Sequence, residues 1–226
     1  MSNLKSGLRQ RGAPLDYVFP CTGHSGSRYV ADLMVKCGIR CSHEQIYCSQ
    51  NEICHVKSNN TWWPAAVRIP NKWGLWPQYD AESSYSVAPF LNDRLCKPAK
   101  CIHVVRRPIS VISSWMHCAR IDPELVGSFA FFDMFLKIGL SINNPTMCAY
   151  TYVAWNNLIE CNRPDSVRVH VEDAQGLCDA VGVDLPGEEV PRSNKHRTEP
   201  DMGFDDFDKP VRDMLCRVTE KYGYDM

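Results

Sequence analysis

The seven residues Thr22-Gly23-His24-Ser25-Gly26-Ser27-Arg28 combine two glycines, three hydroxyl side chains and two basic side chains. An apolar stretch, Tyr17-Val18-Phe19, precedes them, and the helical-looking Tyr29-Val30-Ala31-Asp32-Leu33-Met34-Val35 follows. A strand, a small-residue turn and a helix in that order point backbone N–H groups outward from a helix N-terminus, where the dipole favours an anion. The chemistry is capture of a phosphate or sulfate ester; a plain strand-to-helix turn would look the same, and these residues alone leave both readings open. The loop lacks the Gly-Lys-[Ser/Thr] ending of a Walker A motif, so an ordinary ATPase or GTPase fits poorly.

The elements that must position this loop follow from the rest of the chain. Its 226 residues, 44% hydrophobic and 23% charged, suit one α/β domain with a substantial core. The net charge of −1 gives no bulk attraction to nucleic acid or membrane. Residues 1–14 read as a loose polar arm and 15–226 as a single domain. Short apolar runs predict strands at Tyr17-Val18-Phe19, from Ile39, at Cys101-Ile102-His103-Val104-Val105 and at Val167-Arg168-Val169-His170-Val171. Helices are expected after the loop, over 109–118, 126–140 and about 146–161, after Asp173, and over 210–222. This alternation predicts a three-layer α/β/α architecture around a mostly parallel sheet. Residues 45–99 break any regular period and carry Trp62, Trp63, Trp73 and Trp76. They read as an insertion covering a substrate site, although tryptophans serving as core are an equal alternative.

The N-terminus lacks the apolar core of a secretory signal, and 126–142 carries Asp133 and Lys137, so it reads as a buried helix. A cytoplasmic location is expected, with the twelve cysteines mostly reduced. Cys37, Cys41, His43, Cys48, Cys54 and His55 crowd one region, but no pair has Cys-x-x-Cys spacing; buried free thiols are expected rather than zinc.

Three features in order resemble the sulfotransferases that use 3′-phosphoadenosine 5′-phosphosulfate (PAPS). His24-Ser25-Gly26-Ser27-Arg28 is similar to the family's turn around the 5′-phosphosulfate. Arg106, Pro108 and Ser114 match its strand ending in Arg-x-Pro with a serine eight residues after the arginine. Val169-His170-Val171-Glu172-Asp173 looks like its later acidic strand end. The resemblance implies a P-loop-like fold, PAPS as co-substrate and PAP as product, with no metal. It assigns Gly23, His24, Ser25, Gly26, Ser27 and Arg28 to the phosphosulfate and Arg106 and Ser114 to the 3′-phosphate. Lys195 and His196, in a late basic cluster, would close over the phosphates. Physics supports the pairing: a nucleotide with phosphates at two ends of its ribose needs two anion sites, and an arginine fork at a strand end supplies the second.

Sulfuryl transfer also needs a base and cationic donors at the leaving oxygen. Glu44 is the candidate base, with His43 the alternative; Glu172 and Asp173 are expected to orient neighbouring backbone or basic groups. His24 departs from the family, standing where a lysine or arginine normally contacts the bridging oxygen. It can donate one hydrogen bond when neutral or supply charge when protonated. The expected partners are a small-molecule or carbohydrate acceptor, with no nucleic acid and no membrane span. The competing readings are a non-catalytic nucleotide-binding protein of this fold and a degenerate P-loop kinase.

Overall fold

The computed structural model describes residues 13–44, 79–121, 136, 144–190 and 202–225. Among the described residues, five strands form the sheet: β1 (Tyr17–Pro20), β2 (Cys41–His43), β3 (Ala81–Ser84), β4 (Lys100–Val105) and β5 (Val167–His170). Their order is β2-β3-β1-β4-β5, and every pairing is parallel. The helices are α1 (Ser27–Lys36), α2 (Pro108–Ile121), α3 (Pro145–Asn162), α4 (Ala174–Val181) and α5 (Lys209–Lys221). Helices α1 and α4 pack together, while α2, α3 and α5 form a second group, and both flank the sheet. The expected α/β architecture is therefore present, with an all-parallel sheet.

Local chemistry explains the element boundaries. Asn144, Asp173 and Asp208 cap α3, α4 and α5, each accepting a hydrogen bond from a backbone N–H three residues on. Proline in the first turn of α3 and α5 fits there, because the missing N–H has no helical partner anyway. The core holds Phe19, Leu33, Met34, Ile102, Ile112, Trp115, Tyr152, Trp155 and Ile159, all fully buried. Cys21, Cys41, Cys96, Cys101, Cys148 and Cys178 are buried free thiols, as expected of small hydrophobes.

The sequence pattern assigned no strand between 45 and 99, yet β3 lies there and pairs with both β1 and β2. Its four residues, Ala81-Glu82-Ser83-Ser84, are completely buried but mostly polar. A buried parallel strand is usually an apolar run, so composition hides this one. Most of its polar groups find partners locally: Ser42 donates to Glu82 Oε2, Ser83 to the Ser27 carbonyl at 2.8 Å, and Ser84 pairs with Ser86, while Glu82 Oε1 accepts no hydrogen bond among the described residues. The four tryptophans from 62 to 76 and most of the helix expected over 126–140 lie outside the described residues. No helix of the described residues is long and apolar enough to cross a membrane.

Candidate active site

Parallel strands end on one edge, so β1, β2, β4 and β5 deliver the residues after them to the same side of the molecule. The chain crosses from the β2 side to the β4 side between β1 and β4. Such a switch point opens a crevice at the carboxyl ends of the strands.

β1 runs into the turn. The Ser25 N–H bonds to the Thr22 carbonyl at 3.2 Å, and the Thr22 and Ser25 hydroxyls bond to each other. The turn requires left-handed backbone at His24 (φ 62°) and at Gly26 (φ 89°). At Gly26 a Cβ would lie 2.6 Å from Val171 Cγ2, so both conformation and space demand glycine. Helix α1 then starts with no side-chain cap, and its first helical bond runs from the Val30 N–H to the Gly26 carbonyl. The preceding N–H groups have no partner within the helix, which suits an anion.

β4 runs into Arg106, whose Nη1 donates to the His24 carbonyl at 2.9 Å. Its own carbonyl accepts from the Tyr152 hydroxyl at 2.6 Å. From α2, Ser114 Oγ lies 2.9 Å from His24 Nδ1, and Cys118 Sγ lies 3.7 Å from the same nitrogen. Two motifs more than eighty residues apart thus converge on one residue. Burial first, and then the Arg106 guanidinium, push the His24 imidazole down to about 4, so it is neutral at neutral pH. The neutral ring carries one proton: when Ser114 donates to Nδ1 that proton is on Nε2, and when Nδ1–H donates to Ser114, Nε2 is bare.

β2 runs into Glu44, also left-handed, at φ 55°. His24 and Glu44 are the only non-glycine residues with positive φ among the described residues. Such backbone costs of order 1–3 kcal/mol and gathers at functional sites. Burial pushes the Glu44 carboxyl up to about 7, with Arg28 partly opposing it. His43 Nε2 lies 2.9 Å from Ser27 Oγ and 3.5 Å from Glu44 Oε1. Burial, then Arg28, push His43 down to about 4, which makes it the weaker base of the two. Arg28 itself is exposed on the first turn of α1.

β5 leads to Glu172, whose Oε1 lies 3.9 Å from Arg106 Nε, and to Asp173, which caps α4. Gly23 and Ser25 are buried within the turn. Lys195 and His196 lie outside the described residues. Tyr152 and Cys118 carried no signal beyond helical spacing, and Ser83 sat in a strand that composition concealed.

Among solved structures, the chain is similar to a sulfotransferase from Alicyclobacillus acidocaldarius. The TM-score is 0.55 at 13% identity, covering 95% of this chain and 98% of that one. A sulfotransferase domain from the Synechococcus PCC 7002 olefin synthase aligns over 97% of this chain and 98% of its own, at 15% identity and a TM-score of 0.44. At these identities the likeness is one of fold. No family model matches the chain, and no curated protein matches it in sequence.

Proposed function

We propose that this protein is a sulfotransferase that moves a sulfuryl group from PAPS to a hydroxyl or amine of an acceptor, a carbohydrate or small alcohol, and releases PAP. The observation that carries the reading is the meeting of Arg106 and Ser114 at His24, which sets a fixed cation beside an uncapped helix N-terminus. Two adjoining anion-binding elements suit a donor with phosphate groups at two positions on one ribose. Arg107 Nε is also buried at this strand end and makes no hydrogen bond among the described residues, a donor that an anion would satisfy.

In this reading the N–H groups of 26–28 hold the phosphosulfate, and Arg106 and Ser114 hold the 3′-phosphate. His24 donates from Nε2 toward the bridging oxygen. Glu44, with its carboxyl near 7, takes the proton of the acceptor as its oxygen or nitrogen attacks sulfur in line. Fixed donors then neutralise charge on the departing phosphate. A kinase reading is less well supported, because the carboxyl end of β3, Ser83-Ser84, and the two residues after it, Tyr85-Ser86, carry no carboxylate for magnesium.

Isothermal titration calorimetry tests the proposal. The protein should bind 3′,5′-bisphosphorylated adenosine well and ATP with magnesium poorly. Arg106→Ala should weaken the first by ~1.5–3 kcal/mol, the worth of one charged hydrogen-bond partner. Tighter binding of magnesium ATP would overturn the reading, and unchanged affinity in Arg106→Ala would remove the second anion site.

A further inference from the structure

Arg106 is anchored by a part of the chain far from it in sequence. Tyr224 follows the end of α5, and its ring stacks on His170 with centroids 4.3 Å apart and planes 18° apart. Its hydroxyl lies 2.9 Å from Glu172 Oε2 and 3.1 Å from the Val105 carbonyl. The other carboxylate oxygen, Glu172 Oε1, is the one 3.9 Å from Arg106 Nε. A half-exposed carboxylate would otherwise rotate freely, and an arginine side chain would sample many rotamers. Here the guanidinium is held at two corners, by the His24 carbonyl on Nη1 and by Glu172 near Nε.

We propose that Tyr224 is a positioning residue for donor binding: it fixes Glu172, and Glu172 holds the Arg106 guanidinium in the orientation that receives the donor's phosphate. The inference rests on the sulfotransferase reading. A carboxylate next to a phosphate-binding arginine looks counterproductive, but the contact is long and solvent-accessible. It is too weak to compete with a phosphate dianion, yet strong enough to select a rotamer before the ligand arrives. Preorganisation of this kind raises affinity by removing an ordering cost from the binding step. It also gives the last residues of the chain a role at the site, since Tyr222 and Tyr224 close over the β4–β5 edge through the Tyr222 carbonyl and His170.

The test is calorimetry of the full chain with 3′,5′-bisphosphorylated adenosine. Tyr224→Phe keeps the stacked ring and loses only the hydroxyl; it should weaken binding about three- to tenfold, the range of one hydrogen bond. Glu172→Gln, on an exposed side chain, should weaken binding by a similar factor and serves if Tyr224→Phe folds poorly. In the Arg106→Ala background Tyr224→Phe should have no further effect, because the hydroxyl acts through the arginine. A merely structural tyrosine would lower the melting temperature and leave the affinity of the folded protein unchanged, or would add to the loss in Arg106→Ala; either result overturns the proposal. Wild-type protein that binds no bisphosphorylated adenosine would instead overturn the sulfotransferase reading, and this inference with it.

Discussion

The His24 imidazole is neutral in the free protein, with its pKa near 4, and a bound phosphate should reverse that. Opposite charges about 4 Å apart at an effective dielectric of about 20 attract by ~4 kcal/mol. At 1.36 kcal/mol per unit this raises the imidazole by about 3 units, to a bound value of about 7. The bound pKa then lies above the free one, so affinity is highest where the imidazole is protonated and declines as pH rises through the bound value. Binding of bisphosphorylated adenosine at pH 7 should take up about half a proton at His24, and affinity should fall roughly fourfold from pH 6.5 to pH 8. Calorimetry in buffers of different ionisation enthalpy measures the uptake directly. His24→Gln keeps a neutral hydrogen-bond donor but does not titrate in this range, so the difference between the two proteins cancels the ligand's own phosphate ionisation. Equal proton uptake in both, with parallel affinity curves, would refute the idea that this histidine replaces the fixed cation.

Three further outcomes follow from the geometry. Glu44→Gln should lower sulfuryl transfer by about 10²–10⁴ while leaving donor affinity intact, and the wild-type rate should rise with pH through about 7 as the carboxyl loses its proton; radiolabelled donor with an acceptor panel reads both. Gly26→Ala should destabilise the fold by about 1–3 kcal/mol in urea denaturation, because the added Cβ meets Val171 in a left-handed backbone. His103, fully buried, is pushed down to about 4 chiefly by burial, so between pH 6.5 and 4 the unfolded chain binds a proton there that the folded chain does not. Melting temperature should therefore fall across that window and fall less in His103→Gln. The comparison belongs in the Glu44→Gln background, because the raised Glu44 carboxyl adds stability on the acid side between 7 and 4.5.

Short apolar runs made β1, β4 and β5 legible, and helical spacing made the flanking helices so, while the strand expected from Ile39 begins at Cys41 and buries Ser42. The helix expected over 146–161 occupies Pro145–Asn162, and that expected over 210–222 occupies Lys209–Lys221. The turn was legible for a different reason: its small and hydroxyl residues suit a tight strand-to-helix connection, and Gly26 takes the left-handed backbone that it requires. The partners of Arg106 were less so. Glu172 stood out by charge, but nothing local to Tyr152 or Tyr224 marks a tyrosine whose hydroxyl reaches a carbonyl or carboxylate distant in sequence. Those pairings are set by how α3 and the C-terminal residues pack on the sheet.

β3 was hidden because its side chains are polar, and that polarity ties the two halves of the site together. Ser83 holds the Ser27 carbonyl at the start of α1, and the Ser83 carbonyl accepts from the Glu44 N–H at 3.3 Å. Ser27 in turn bonds His43, the neighbour of Glu44. An apolar residue at 83 would pack in the sheet but would leave the Ser27 carbonyl without this donor. The strand that sits between β1 and β2 thus links the turn that would grip the donor to the carboxyl that would receive the acceptor's proton. Both ends of that link carry backbone held left-handed without glycine, at His24 and at Glu44. Strain of this kind persists only where neighbours over-determine the conformation, and the serines of β3, with Arg106 on the His24 carbonyl, are neighbours placed to do so.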